Sequence, residues 1–280
     1  MKIKIIADST CDLPKDYLAA QDITIAPLTV VKGDQQFKDG VTIQPGDIFD
    51  HVNSGGDLCS TAAVSIGEYT DLFEQFSADY DAIIVINLGS GFSSCYQNAC
   101  VAAEDFPNVR CIDSRNLTSG QGLLVMEACR LGKLLDDIDA IVDALNAYTE
   151  KIETSFLIEK LDYLVKGGRC SSAAALGANL LNLKPCIELK DCKMTVGKKY
   201  RGSLSKCQVS YITERLQNRE DIDHTTAIIV HTQLPEESLS LIRQTVQACG
   251  NFETVLESVA GSTISCHCGP GTLGLVFARK

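Results

Sequence analysis

The chain is short of several things, and each shortage excludes a class of protein. No apolar run reaches the ~18 residues of a membrane-spanning helix, so no transmembrane segment is expected, and membrane contact would be transient. Proline occupies only 7 of 280 positions while 45% of the residues are hydrophobic, which excludes a disordered or collagen-like chain. Lys and Arg number 25 against 36 Asp and Glu, a net charge of −11. A general nucleic-acid binder needs a basic face, so no nucleic-acid partner is expected. No linker, repeat or low-complexity segment interrupts the chain. Met1-Lys-Ile-Lys-Ile-Ile leads into Ala7-Asp8-Ser9 without the apolar stretch of a signal peptide, and a cytoplasmic location is the expectation.

The usual chemical signatures are missing too. There is no Cys-x-x-Cys among the 13 cysteines, whose closest pair is Cys266 and Cys268. A structural zinc site wants two such knuckles. Cys266, His267 and Cys268 alone are adjacent ligands that rarely close a tetrahedron, so no metal is expected. The cysteine count is odd, and reduced thiols acting as small hydrophobes are the simplest reading. The dinucleotide glycine fingerprint, the phosphate-loop lysine, Gly-x-Ser-x-Gly and His-Glu-x-x-His are all absent.

What is present is alternation. Apolar runs at 2–7, 82–86 and 109–112 read as strands, and the segments at 65–77, 93–103 and 119–131 read as helices. Ser65 with Glu68 three residues on is a capping box. The second half has another rhythm: 184–189 and 194–198 flank Asp191-Cys192-Lys193 as a hairpin, an Ala-rich helix is expected over 171–181, and further strands lie at 225–231 and 272–277. The length suits about two domains. The expectation is an α/β protein with a Rossmann-like parallel sheet and flanking helices over 1–152, and a second α/β domain with a mixed sheet over 153–280.

Several loops carry chemistry. Asp8, Ser9, Thr10 and Asp12 follow the first strand, where open α/β sheets bind ligands, though the same residues also make ordinary turns. Thr61 precedes the capped helix. Gly89, Gly91, Ser93 and Ser94 lie between a strand and a helix, where hydroxyls and backbone N–H groups can hold an anion. Lys166-Gly167-Gly168-Arg169 and Lys198-Lys199-Tyr200-Arg201 are basic clusters, either solvated or a local site for a phosphoryl group or a partner. His267 is one of four histidines, and serine hydrolysis through Ser93 and His267 stays open from the residues alone.

These same segments resemble the DegV family of bacterial lipid-binding proteins, from end to end. Asp8-Ser-Thr-Cys-Asp-Leu-Pro14 looks like its first signature. Thr61 to Ser65 looks like its Thr-Ser-x-Pro-Ser segment, and Ser93-Ser94-Cys95-Tyr96-Gln97-Asn98-Ala99 like Ser-Gly-Thr-Tyr-Gln-x-Ala. Asp113-Ser114 with Gly120 and Gly122, then Gly167-Gly168-Arg169, Lys184-Pro185, Arg201 and His267-x-Gly-Pro-Gly271 complete the order. Ala62, Val64, Ser94 and Cys95 depart from the pattern, which could alter head-group geometry or acyl preference. The resemblance implies a two-domain fold binding a long-chain fatty acid between its domains, with the carboxylate on Thr61, Ser93 and Ser94. It implies no cofactor, no catalysis of its own and a place in phospholipid metabolism. It further implies a separate fatty acid kinase as partner, with Arg169, Arg201 and His267 near the head group or the kinase. A serine-dependent esterase or acyl-phosphate hydrolase, and a carrier of another apolar carboxylate, are the alternatives.

Overall fold

The structure, a computed structural model, describes residues 1–175 and 183–280. The N-terminal half comprises β1 (Ile3–Asp8), a 3-10 turn at Ser9–Cys11, α1 (Lys15–Ala20), β2 (Ile23–Ala26), β3 (Thr29–Lys32), β4 (Gln35–Lys38), α2 (Pro45–Asn53), β5 (Ser60–Ala62), α3 (Ile66–Ser77), β6 (Ala82–Asn87), α4 (Cys95–Ala103), β7 (Val109–Asp113), α5 (Ser119–Leu134) and α6 (Ile138–Thr149). The C-terminal half comprises β8 (Ile152–Leu157), α7 (Leu161–Gly167), α8 (Ser171–Ala174), β9 (Leu183–Lys190), β10 (Lys193–Arg201), α9 (Leu204–Leu216), β11 (Ile222–His231), α10 (Glu236–Gly250), β12 (Thr254–Val259), α11 (Ser262–Cys268) and β13 (Leu273–Arg279). Of the Ala-rich helix expected over 171–181, only the turn α8 is described; from residue 176 it lies outside the described residues.

The architecture is two-domain α/β. A parallel sheet of order β2-β1-β6-β7 forms the centre of the first half. All six residues of β6 are buried, which explains the unbroken run Ile83-Ile84-Val85-Ile86: both faces of the strand are covered. Ile83 and Val85 face Tyr69 and Phe73 of α3 and Ala99 of α4. Ile84 and Ile86 face Leu124 and Ala128 of α5 and Ile141 of α6. The expected capping box is in place at Ser65 and Glu68.

The second sheet is mixed, of order β10-β9-β8-β13-β11-β12, with only β11 and β12 parallel. The β9–β10 hairpin turns at Asp191 and Cys192, both at positive φ (51° and 55°), the backbone of the tight turn that matches strand twist. Helices α9 and α10 cover one face through Tyr211, Ile212, Leu239 and Val246. Helix α5 packs on the other and so lies between the two sheets. Gly122 lets α5 approach the turn at Ser9–Cys11, since a Cβ there would stand 2.5 Å from the carbonyl oxygen of Cys11.

Two elements depart from the sequence-based expectation. The apolar stretch Ile23–Val31, which reads as one extended run, is broken after Ala26, and β3 leaves it to form a separate antiparallel sheet, β4-β3-β5. Ser262–Cys268 is a helix, α11, where no helix is expected from its Ser, Thr and Cys composition.

Candidate functional site

The site is built where the loops leaving the parallel strands meet α11. Asp8, at the end of β1, accepts the Leu88 N–H at 2.6 Å on one carboxylate oxygen and the Thr10 N–H at 3.1 Å on the other. It thereby ties the loop after β1 to the loop after β6. Burial pushes its carboxyl up from the ordinary value. Asp12, at φ 46°, accepts the Gly261 N–H at 2.8 Å and the Thr118 hydroxyl at 2.6 Å. Burial raises this carboxyl further. The Asp8–Asp12 segment, which reads equally as site or turn, is here a brace: none of its side chains lines the ligand cavity.

Asp39 extends the brace. Its carboxylate accepts the Ser262 N–H at 2.8 Å, the Thr263 N–H at 3.2 Å and the Ser9 hydroxyl at 2.9 Å. Ser262 and Thr263 are the first residues of α11, whose leading N–H groups have no partner within the helix. A buried carboxylate at that end satisfies them and complements the helix dipole. This contact makes a helix of a sequence with weak helical propensity, and it sets the position of His267 a turn later.

The cavity so enclosed has a volume of about 510 Å3, within the ~300–1,000 Å3 usual for small-molecule sites. Most of its wall is apolar: Leu28, Leu88, Phe92 and Leu117 from loops after parallel strands, Met194 from β10, and Ile264 from α11. Thr61, Ser93, Ser94, Arg169 and His267 supply polar groups, as does Thr263, which no motif marks and whose buried hydroxyl has no partner among the described residues. Among the described residues, the cavity therefore unites five of the six site residues expected from the sequence. The sixth, Arg201, is exposed at the end of β10 and lines neither this cavity nor the recess beside it. The basic clusters likewise separate: Lys166 and Arg169 line a recess beside the cavity, whereas Lys198 pairs with Glu214 on the outer strand.

Within the polar group the key contact is between Thr61 Oγ1 and His267 Nε2, at 2.8 Å. Burial, with Arg169 nearby, lowers the imidazole to about 4, so it is neutral at pH 7. A neutral ring that donates from Nε2 leaves the Thr61 hydroxyl proton free for a ligand. His267 Nδ1 is buried without a partner and abuts Gly167, where a Cβ would lie 2.3 Å from it. Ser93 Oγ accepts the Cys95 N–H at 3.3 Å, and its proton points to Cys95 Sγ at 3.2 Å, a weak acceptor that a carboxylate would outcompete. Ser94 is the N-cap of α4 and makes no side-chain cap bond.

This arrangement holds an anion better than it cleaves a bond. His267 is bonded to Thr61 rather than to Ser93, and no acid orients its Nδ1 among the described residues. A triad needs both links. Among the described residues, no group of three or more His, Cys, Asp or Glu is placed to hold a metal ion. No helix among them is long and apolar enough to cross a membrane. Sequence reasoning missed the apolar wall, because Leu28, Leu88, Leu117, Met194 and Ile264 carry no local mark separating a cavity lining from a core.

Fold and site together define a two-domain α/β protein with a largely apolar cavity, carrying a few polar groups, where the loops after the parallel strands meet β10 and α11. The chain belongs to the DegV family, whose model, described as "Uncharacterised protein, DegV family", matches residues 2–280. It is 32% identical to a DegV domain-containing protein of Clostridium acetobutylicum, over 100% of this chain and 99% of the relative. Among solved structures it is similar to a DegV family protein from Thermus thermophilus described by its fatty acid binding (26% identity, TM-score 0.90, 100% of both chains). It is also similar to a stearic acid-binding protein from Eubacterium ventriosum (26% identity, TM-score 0.85, 99% of this chain and 98% of that one).

Proposed function

We propose that this protein binds a long-chain fatty acid between an N-terminal domain of residues 1–152 and a C-terminal domain of residues 153–280, without catalysis of its own. The observation that carries the reading is a largely apolar cavity that gathers the hydroxyls of Thr61, Ser93 and Ser94 beside a neutral His267. Hydroxyl donors stabilise a carboxylate there without a full buried countercharge. The acyl chain supplies the affinity, at about 0.8 kcal/mol per buried methylene. The relatives described as fatty-acid-binding support the same assignment.

The finer reading is that the bound carboxylate is presented to a separate fatty acid kinase. Its support is the exposed pair Lys166 and Arg169 beside the carboxylate end of the cavity, where a partner could reach them. Arg201 belongs to this reading only as a partner contact, given its place on β10. The cytoplasm is the compartment that suits 13 free thiols.

Native mass spectrometry of protein purified without added lipid tests the core of the reading. A non-covalent adduct with the mass of a sixteen- to eighteen-carbon acid, released on denaturation, is the expected result. An empty protein that also fails to bind added palmitate overturns it. An adduct of another apolar acid would keep the cavity and change the ligand. For the partner, Lys166→Ala, at a residue that lines the recess and not the cavity, is expected to retain fatty acid binding and lose kinase-dependent phosphorylation of the bound acid. Unchanged phosphorylation would remove Lys166 from that role.

A further inference from the structure

Beside the carboxylate end of the cavity lies a recess of about 280 Å3 that shares Arg169 and His267 with it. Two cysteines line this recess from different elements. Cys59 directly precedes β5, and Cys266 lies in α11. Both are buried in one packed cluster with Phe49 and Tyr163. Residues two apart on an extended segment share a face, so Cys59 and Thr61 point the same way. Cys266 and His267 are consecutive on the helix. The two elements thus meet where Thr61 contacts His267 at 2.8 Å, and both cysteines line the recess beside that contact.

The two side chains line the same recess and pack in the same buried cluster. The neighbouring Cys266 thiol lowers Cys59 to about 7, while Cys59 and burial push Cys266 up. One sulfur is thereby the nucleophile and the other its waiting proton donor. Cys100 of α4 and Cys111 of β7 are a second neighbouring pair, but burial pushes the Cys111 thiol up.

We propose that Cys59 and Cys266 are a redox modification site, a reversible disulfide between β5 and α11 beside the carboxylate end of the cavity, with a peroxide as oxidant. The Cys59 thiolate attacks the O–O bond, forming a sulfenic acid and releasing the first water. The Cys266 sulfur then displaces the sulfenic hydroxyl, forming the S–S bond and the second water. Two thiols lose two electrons and two protons, and the peroxide is reduced to two waters; a dithiol reverses the step. Bonded sulfurs stand about 2.05 Å apart, closer than any thiol contact, so the bond draws β5 and α11 together where Thr61 meets His267. Coupling of the bond to ligand exchange rests on the fatty-acid reading; formation of the bond does not.

The test is a titration of the fully reduced protein with hydrogen peroxide, quenched by alkylation and mapped by mass spectrometry. The expected first cross-link joins Cys59 to Cys266, with an intact mass lower by two hydrogens and restored by dithiothreitol. Cys59→Ser and Cys266→Ser each abolish it, and Cys100→Ser leaves it in place. A first cross-link at Cys100–Cys111, or oxidation that stops at sulfenic acid, overturns the proposal. Release of a fluorescent fatty acid is expected to slow several-fold on oxidation of the wild type and not of Cys59→Ser. Unchanged release with the cross-link formed overturns the coupling alone. A protein that cross-links but never binds fatty acid refutes the proposed function and leaves the modification site standing.

Discussion

At the scale of single residues, the site depends on who holds which proton. Thr61→Val keeps the shape and β propensity of β5 and removes the hydroxyl. Hydrogen bonds to charged groups are worth about 1.5–3 kcal/mol, so palmitate affinity should fall about 10- to 100-fold, and stability by about 1–3 kcal/mol because buried His267 Nε2 loses its partner. Isothermal titration beside urea denaturation separates the two effects, and equal affinity would remove Thr61 from the site. His267 makes a pH prediction. Its folded-state value, about 4, lies below the ordinary 6.5. In that interval the unfolded chain binds a proton that the folded protein does not. The stability His267 contributes is therefore full above about pH 6.5 and is lost as pH falls toward 4, by an amount on the order of 3 kcal/mol. Buried Asp8 and Asp12 are shifted upward and act in the opposite sense, gaining stability toward acid. The measurement is therefore a difference: urea midpoints from pH 7 to 4 in wild type and His267→Gln, with the wild type expected to lose more. Parallel profiles would show that the ring titrates normally.

Elements are where local preference and long-range contact compete. Helix α3 announces itself by Ser65 and Glu68, and the β9–β10 hairpin by Asp191-Cys192, because both rest on bonds between residues a few positions apart. Helix α11 does not. Its first turn is satisfied by Asp39, 223 and 224 residues away in sequence. Asp39→Asn should expose that dependence, since the amide turns one acceptor into a donor facing N–H groups. We expect a loss of about 1–3 kcal/mol in stability. Palmitate affinity should fall as well, although Asp39 lines no part of the cavity. Stability lost with affinity intact would show that α11 holds its place without the carboxylate.

For the whole molecule, the cavity sets what the ligand contributes. Two added methylenes are worth about 1.6 kcal/mol, so affinity should rise roughly tenfold per pair from twelve carbons upward, then level off once the 510 Å3 cavity is filled. A displacement assay across the saturated acids reads this directly, and a flat series would mean that the chain is not buried. Binding is linked to folding: ligand at 100 times its dissociation constant stabilises by about 2.7 kcal/mol, so delipidated protein should melt several degrees lower and recover on adding palmitate.

Much of the fold was legible in the residues, because periodicity and caps are local. The run Ile83–Ile86 had to be a strand covered on both faces, and the hairpin with its neighbouring helices implied a mixed second sheet. The polar residues of the site were legible from motif order, through resemblance more than through chemistry: Thr61, Ser93, Ser94, Arg169 and His267 do line one cavity. The apolar wall was not, since a Leu facing a cavity and a Leu facing the core are the same residue in one dimension. Sequence alone thus determined the strands, the capped helices and the supply of donors, all of which rest on neighbouring residues. Tertiary structure alone decided that Ser262–Cys268 is a helix, that Thr61 meets His267 across 206 positions, that Cys59 meets Cys266, and that Arg201 stays outside. The physical reason is that these contacts draw their energy from buried partners remote in the chain, which no local pattern encodes.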